Sequence, residues 1–427
     1  MKESILHYVW QNKLFTAHDL KTTDGETLEV IDVGKNNTDA GPDFFNAKIR
    51  IGKTLWAGNV EIHTCSSEWH KHNHQSDKAY DSVILHVVLH ADREVYRRDG
   101  DRIPQLELIY PKQIDLNYEH LIHVQKWIPC CDRINQVPSI YIQSLESALL
   151  TERLEQKMNS IEQLLEDNNQ YWEEAFYITL ARNFGFGTNS QAFESLAKSL
   201  SVSILGKHKD NIVQLEALLF GQAGLLDTDK SDDYTLELKK EYEFLRVKYG
   251  LIPLDGSQWK LLRLRPVNFP HVRIAQFAAL IQTSSKLFSK IVDNPDVDYL
   301  RELFACEPSS YWKTNYHFSK KSTLCIKKLG TQSINGILIN TVVPFLFCYA
   351  NHKNNVELKS KALNILEEIP AEKNSIITGW HNLGVDAVNA FDSQALLQLK
   401  KQYCDDKKCL QCRIGHKVLT LQTTEKN

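Results

Sequence analysis

Long hydrophobic runs are missing from this sequence. No uninterrupted apolar stretch approaches the ~20 residues that a membrane span needs. The strongest one, residues 337–350, is short and contains Asn340, so it reads as a buried helix and no membrane is expected as a partner. The start, Met1-Lys2-Glu3-Ser4-Ile5-Leu6-His7, lacks the apolar core of a secretory leader. Cysteine is neither dense nor even in number: nine are scattered from Cys65 to Cys412, which argues against a secreted disulfide framework. A cytoplasmic location is the expectation. Charge of one sign is also lacking. A net charge of −3 gives no whole-molecule attraction to phosphate, so contact with nucleic acid would need a local basic patch. No fixed-period repeat is present, which sets aside a solenoid. Asn183-Phe184-Gly185-Phe186-Gly187-Thr188-Asn189 lacks the residues of a phosphate-binding loop and reads as a helix terminator followed by an Asn or Ser cap.

What is there is a globular composition. Apolar residues make up 42% and charged residues 24% of 427, and the length suits two or three domains of ~150 residues each. The first ~110 residues alternate β-type runs with turn signals. Residues 28–33 read as a strand closed by Gly34-Lys35-Asn36-Asn37. Residues 47–51 alternate with period two and end at Gly52-Lys53, a hairpin signal, and residues 55–63 supply the return strand. Residues 82–90 are almost continuously apolar, as in a central strand covered on both faces. A further strand is expected near 106–109, a short helix over 5–15, and a helix or ordered loop within the polar stretch 66–80. From about Ser139 the period becomes helical: Leu145, Leu149, Leu150, Leu154, Met158, Ile161 and Leu164 recur on one face. Helical runs continue through 172–183, 191–205, 212–219, 234–247, 272–292, 298–303, 337–350 and 356–368. The fold class is α+β: a mixed-sheet core over 1–135, a helical region over 136–400 and a Cys-rich tail over 401–427.

The chemistry concentrates in Gly41-Pro42-Asp43-Phe44 and Val60-Glu61-Ile62-His63. On a strand, Glu61 and His63 project from the same face. Pairing 46–51 with 55–60 brings Asp43 close to both. Two carboxylates suit Mg²⁺, which could lower the pKa of a bound water and stabilise charge on a phosphoryl group. The plain alternative is a Pro-Asp turn beside a solvated strand face. Six of the sixteen histidines fall between His63 and His90. His70, His72 and His74 could be ligands or solvated loop residues; His86, interrupting an apolar strand, is either a core histidine bonded to backbone or part of the site. Trp56 is expected in the core, while Trp69 could pack beside a ligand.

Proline-aspartate, a hairpin, then an acid separated by one residue from a basic one resembles the PD-(D/E)XK nuclease superfamily. The resemblance implies a mixed sheet flanked by helices, with Asp43 and Glu61 as metal-binding acids. His63 stands where that pattern usually has lysine. A histidine there is largely neutral at pH 7, with an ordinary pKa of ~6.5, and could instead be a metal ligand, shifting the preference toward Mn²⁺ or Zn²⁺. Residues 37–44, residues 58–63 and the terminal cysteine segment also resemble an uncharacterised bacterial family, number 2851 of the domains of unknown function, over nearly the full length. That likeness brings no activity with it.

Near the end, Cys404, Cys409, Cys412 and His416 follow a Cys-x₄-Cys-x₂-Cys-x₃-His spacing that suits a tetrahedral Zn²⁺. Cys130 or Cys131 could join Cys404, Cys409 and Cys412 instead, holding Zn²⁺ or an iron–sulfur cluster; some members of the nuclease superfamily have one upstream and three downstream cysteines. Ordinary reduced thiols are the alternative. Residues 259–273 combine aromatics with Lys260, Arg263, Arg265 and Arg273, which could contact phosphates or simply form an amphipathic segment and a proline turn. Three functions are therefore open: a metal-dependent nuclease acting on nucleic acid, a hydrolase of small phosphodiesters, and a non-catalytic scaffold on a degenerate nuclease-like fold.

Overall fold

The computed structural model describes residues 2–227, 232–284, 286–318 and 320–421. Its contacts divide the chain into two units, residues 1–143 with 400–427, and residues 144–399. The cysteine segment, read above as a tail of its own, is thus part of the N-terminal unit. The class is α+β, with a six-stranded mixed sheet near the N-terminus and helices after it.

The first unit opens with α1 (Lys2–Gln11), then β1 (Leu28–Asp32), β2 (Lys35–Asn36), β3 (Phe44–Ile51) and β4 (Thr54–Cys65). A short α2 (Glu68–Lys71) precedes β5 (Val83–His90), β6 (Gln105–Glu107) and α3 (Gln113–His123). The sheet order is β1-β3-β4-β5-β6, with β2 pairing β3. β1, β3 and β4 run antiparallel; β5 lies parallel to β4, and β6 parallel to β5. Gly52 and Lys53 make the two-residue turn, so Ile51 faces Thr54 and the register is fixed from that end. β3 buries alternate residues, including Ala47, Ile49 and Ile51, against the core. β5 is buried over six of its eight positions, as a continuously apolar strand must be when both faces are covered. Gly58 is required where β4 meets β5: a Cβ there would lie 2.4 Å from Ile84 Cγ2 and 2.7 Å from the Ser82 carbonyl oxygen.

The expectation for Trp56 fails. Trp56 is exposed, not core, because it sits at the solvated turn end of β4, whereas Trp69 is fully buried.

The second unit is built on α4 (Ser139–Asp167), which buries Leu145, Leu149, Leu150, Leu154, Met158, Ile161 and Leu165 along one face. α5 (Trp172–Phe184), α6 (Ser190–Ser199), α7 (Val202–Gly206), α8 (Ile212–Gln222) and α9 (Asp233–Tyr249) follow, then α10 (Pro270–Thr283), α11 (Leu287–Asp293) and α12 (Val297–Phe304). A small hairpin, β7 (Asn315–His317) and β8 (Lys320–Lys321), precedes α13 (Thr331–Ile337), α14 (Val343–His352), α15 (Val356–Glu368), α16 (Ser375–His381) and α17 (Ala390–Gln398). The run 191–205 is two helices rather than one. Leu200 and Ser201 are extended, and the Glu174 carboxylate accepts the Val202 N–H that starts the next helix. The helical run Thr331–His352 is long and apolar enough to cross a membrane, but 72% of its apolar window is buried within the protein, as in a core helix. α18 (Arg413–Leu419) returns to the first unit, where Asn117 of α3 donates to the carbonyls of Val418, Leu419 and Leu421.

Candidate metal centre

Asp43 and Glu61 meet at the open end of the β3–β4 pair. The Asp43 N–H donates to Glu61 Oε2 at 3.1 Å, and Asp43 Oδ2 accepts the Ile62 N–H at 2.9 Å. This reciprocal clasp follows from the register, which sets Phe44 opposite Val60 and so Asp43 beside Glu61. β4 alternation then places His63 on the face of Glu61, its Nε2 3.5 Å from Glu61 Oε1. The three residues singled out from the sequence therefore share one pocket.

More imidazoles converge on them than the strand pattern alone implies. In the parallel β4–β5 register Glu61 pairs with His86. His86 Nε2 lies 2.9 Å from His63 Nδ1, while His86 Nδ1 is buried with no partner. From the other side, His72 Nδ1 reaches His63 Nε2 at 3.1 Å, and His74 Nε2 lies 3.3 Å from Glu61 Oε1 without hydrogen-bond alignment. One nitrogen each from His63, His72 and His74 lies within 4.8 Å of the others. His70 is half-buried and stands outside this trio.

The connection carrying His72 and His74 is ordered by its neighbours. Glu68 of α2 accepts the N–H groups of Thr64 and Cys65, tying the helix to the end of β4. Trp69 is buried among Val83, Val95 and Ile103 and donates its indole N–H to the Tyr96 carbonyl. Asn73, at φ 62°, takes the left-handed conformation that asparagine tolerates and reverses the chain between the two histidines. Tyr80 stacks on the His74 ring with centroids 3.8 Å apart.

Burial sets the electrostatics. Desolvation, reinforced by the Asp43 charge, pushes Glu61 up to about 9. Desolvation also depresses His63 to about 4, helped by His74 and His72, and holds His86 well below the ordinary value. Burial therefore favours a neutral carboxyl at Glu61 and neutral imidazoles at His63 and His86. His7 behaves differently: burial pulls it down, but its approach to Asp43 Oδ2, 3.3 Å away, outweighs that and raises it. His7 comes from α1 and was invisible in the sequence, where it is one histidine on an apolar helix face.

A second cluster gathers cysteines. Cys130, Cys409 and Cys412 are buried, Cys404 is half-buried, and none is disulfide-bonded. Burial pushes Cys130 and Cys409 up to about 12, and burial first, then the neighbouring Cys130, Cys412 and Cys409, raises Cys404. Lys407 donates to the Ile122 and Val124 carbonyls, tying the Cys404–Cys409 loop to the end of α3. Gly415 is required here, since a Cβ would lie 2.1 Å from the Cys409 carbonyl oxygen. Cys131 is directed to Asp132, and His416 Nδ1 pairs with the Tyr8 hydroxyl at 2.7 Å.

Residues 3–375 match the model of a family described as "Protein of unknown function (DUF2851)". No curated protein and no solved structure matches the chain.

Proposed function

We propose that this chain, which belongs to the DUF2851 family, is a metal-dependent hydrolase of phosphodiester bonds in nucleic acid, with its centre in the N-terminal unit. The observation that carries the reading is the placement of three imidazole nitrogens within 4.8 Å of one another, with Glu61 Oε1 3.3–3.5 Å from two of them. The partnerless nitrogen of His74 and the proton-retaining Glu61 are what such a pocket would show before an ion enters. Glu61, His63, His72 and His74 would be the ligands. A nitrogen-rich set of this kind suits Zn²⁺ or Mn²⁺ better than Mg²⁺, which prefers oxygen. His63, depressed to about 4, is thereby better placed as a neutral ligand than as the positioner of water.

The bound ion would supply charge for the phosphoryl oxygens and acidify a water molecule. The chain's own contribution is positional. Asp43 holds the Ile62 N–H and stands beside His7, whose proton is retained more firmly than in water. That pair can orient a water and deliver a proton to a leaving oxygen. His86 would set the His63 ring, as partners behind metal ligands commonly do. The mixed sheet with α1 against it and the Asp43/Glu61 placement support the nuclease-like reading.

For the cysteines we propose a separate structural centre held by Cys130, Cys404, Cys409 and Cys412. The support is electrostatic: Cys130 and Cys404 each feel Cys409 and Cys412, and thiols that burial makes weak acids would become thiolates around Zn²⁺ or an iron–sulfur cluster.

The test of the hydrolase is cleavage of single- and double-stranded oligonucleotides with Mn²⁺, Zn²⁺ or Mg²⁺. Activity with Mn²⁺ or Zn²⁺ that disappears in Glu61→Gln is expected. A folded wild-type protein that binds an ion but leaves every nucleic acid intact would favour the scaffold.

A further inference from the structure

In the helical unit, a cavity of about 270 Å³ is lined by Arg273 with Asn189, Asn268, Pro270, Gln332 and Ser333 among its walls. No carboxylate is among its lining residues. Arg273 is buried, at 7% exposure, in the first turns of α10. Its guanidinium donates to Gln276 Oε1 at 3.0 Å, to Asn268 Oδ1 at 2.7 Å and to Ser333 Oγ at 3.3 Å, all neutral acceptors, and its Nε has no partner. Among the described residues no acid forms an ion pair with it. Desolvation lowers its pKa to about 10. The Phe186 ring lies beneath the guanidinium, 4.2 Å away.

A buried cation without an anion is a costly arrangement in a folded protein. Neutral acceptors hold this one in place but do not neutralise it. Two further features have the same sign. α10 begins at the cavity with no side chain capping its first N–H groups. α6 also begins there, and its Asn189 spends its amide on the Lys260 backbone, accepting at 2.8 Å and donating at 3.0 Å. Helix starts left this way carry partial positive charge. The segment bearing two of the walls, Leu264 and Asn268, also exposes Lys260, Arg263 and Arg265.

We propose that this cavity is an anion site for a phosphate group, with the Arg273 guanidinium as its fixed charge and Ser333, Gln332 and the start of α10 as neutral donors. The inference does not rest on the metal centre, which belongs to the other unit. The phosphate can be free or part of a nucleic-acid backbone, and the chemistry at Arg273 is the same for both.

The experiment is calorimetric titration of the full chain with inorganic phosphate, and separately with a short single-stranded oligonucleotide, in sodium chloride of matched ionic strength. Saturable phosphate binding is expected. Ser333→Asp puts a carboxylate against the guanidinium and should weaken phosphate roughly tenfold or more while the fold is kept. Arg273→Lys, which keeps the charge and loses the planar fork, should weaken it less. Oligonucleotide binding that phosphate displaces, and that Ser333→Asp loses, would assign the site to a backbone phosphate. Phosphate binding alone would assign it to a small phosphate. Heat no greater than that of chloride, or unchanged affinity in Ser333→Asp, would overturn the proposal.

Discussion

Asp43 and Glu61 are both carboxylates at the end of one hairpin, yet their surroundings give them different work. Glu61 is buried, pushed up to about 9 and close to two imidazoles; Asp43 is more open and beside His7. Glu61→Gln should therefore abolish ion binding, whereas Asp43→Asn, which keeps an acceptor for the Ile62 N–H, should leave it within about tenfold and remove turnover. Calorimetric titration with Mn²⁺, run beside oligonucleotide cleavage, reads both outcomes. Asp43, Glu61 and His63 were legible because strand alternation and a two-residue turn fix where their side chains go. His72 and His74 were visible only as a histidine-rich loop, since a loop has no period from which direction can be read. His7 was not legible at all, because it depends on how a helix lies on the sheet; His86 was left between core and site, because its partner depends on a parallel register between strands distant in sequence.

At the scale of elements, α2 is one turn long and is held by Trp69 rather than by its own hydrogen bonds. Trp69→Ala should cost the N-terminal unit ~3–5 kcal/mol in chemical unfolding. Because the same helix carries the chain into His72 and His74, ion affinity should fall alongside stability. An affinity unchanged in that variant would separate the helix from the centre. In the helical unit, His271 of α10 is buried beside His317, Trp312, Phe220 and Phe318, and desolvation depresses it to about 3. An unfolded chain takes up this proton near pH 6.5 and the folded one does not, so its contribution is complete above 6.5 and is lost as pH falls toward 3. The slope is at most about 1.4 kcal/mol per pH unit, and His271→Leu should flatten it in denaturant titrations between pH 6.5 and 4. Strands and long helices were read well from their periods. The split of 191–205 was not, because the break depends on Glu174, an acid from a different helix, taking the first N–H of α7; nor was the break of 272–292 at Ser284, which is extended between α10 and α11.

At the scale of the whole chain, the first unit is discontinuous: its last part arrives after the entire helical unit. Asn117 and Lys407 join those pieces. Ending the chain at residue 399 should speed amide exchange over 113–134, detectable by mass spectrometry, while α8 and α10 stay protected. The sequence showed the cysteine spacing but not this return, because contacts between residues almost three hundred positions apart leave no local pattern. A protein purified without oxygen should also carry zinc, or iron with sulfide, that is lost when Cys409 and Cys412 are replaced by serine. The most direct test of the central claim is X-ray absorption at the metal edge of the chain loaded with one equivalent of Zn²⁺ after those two cysteines are replaced. The account predicts a first shell of imidazole nitrogen and carboxylate oxygen at ~2.0–2.2 Å, lost in His74→Ala and Glu61→Gln. A shell without imidazole, or one unchanged by both substitutions, would contradict it.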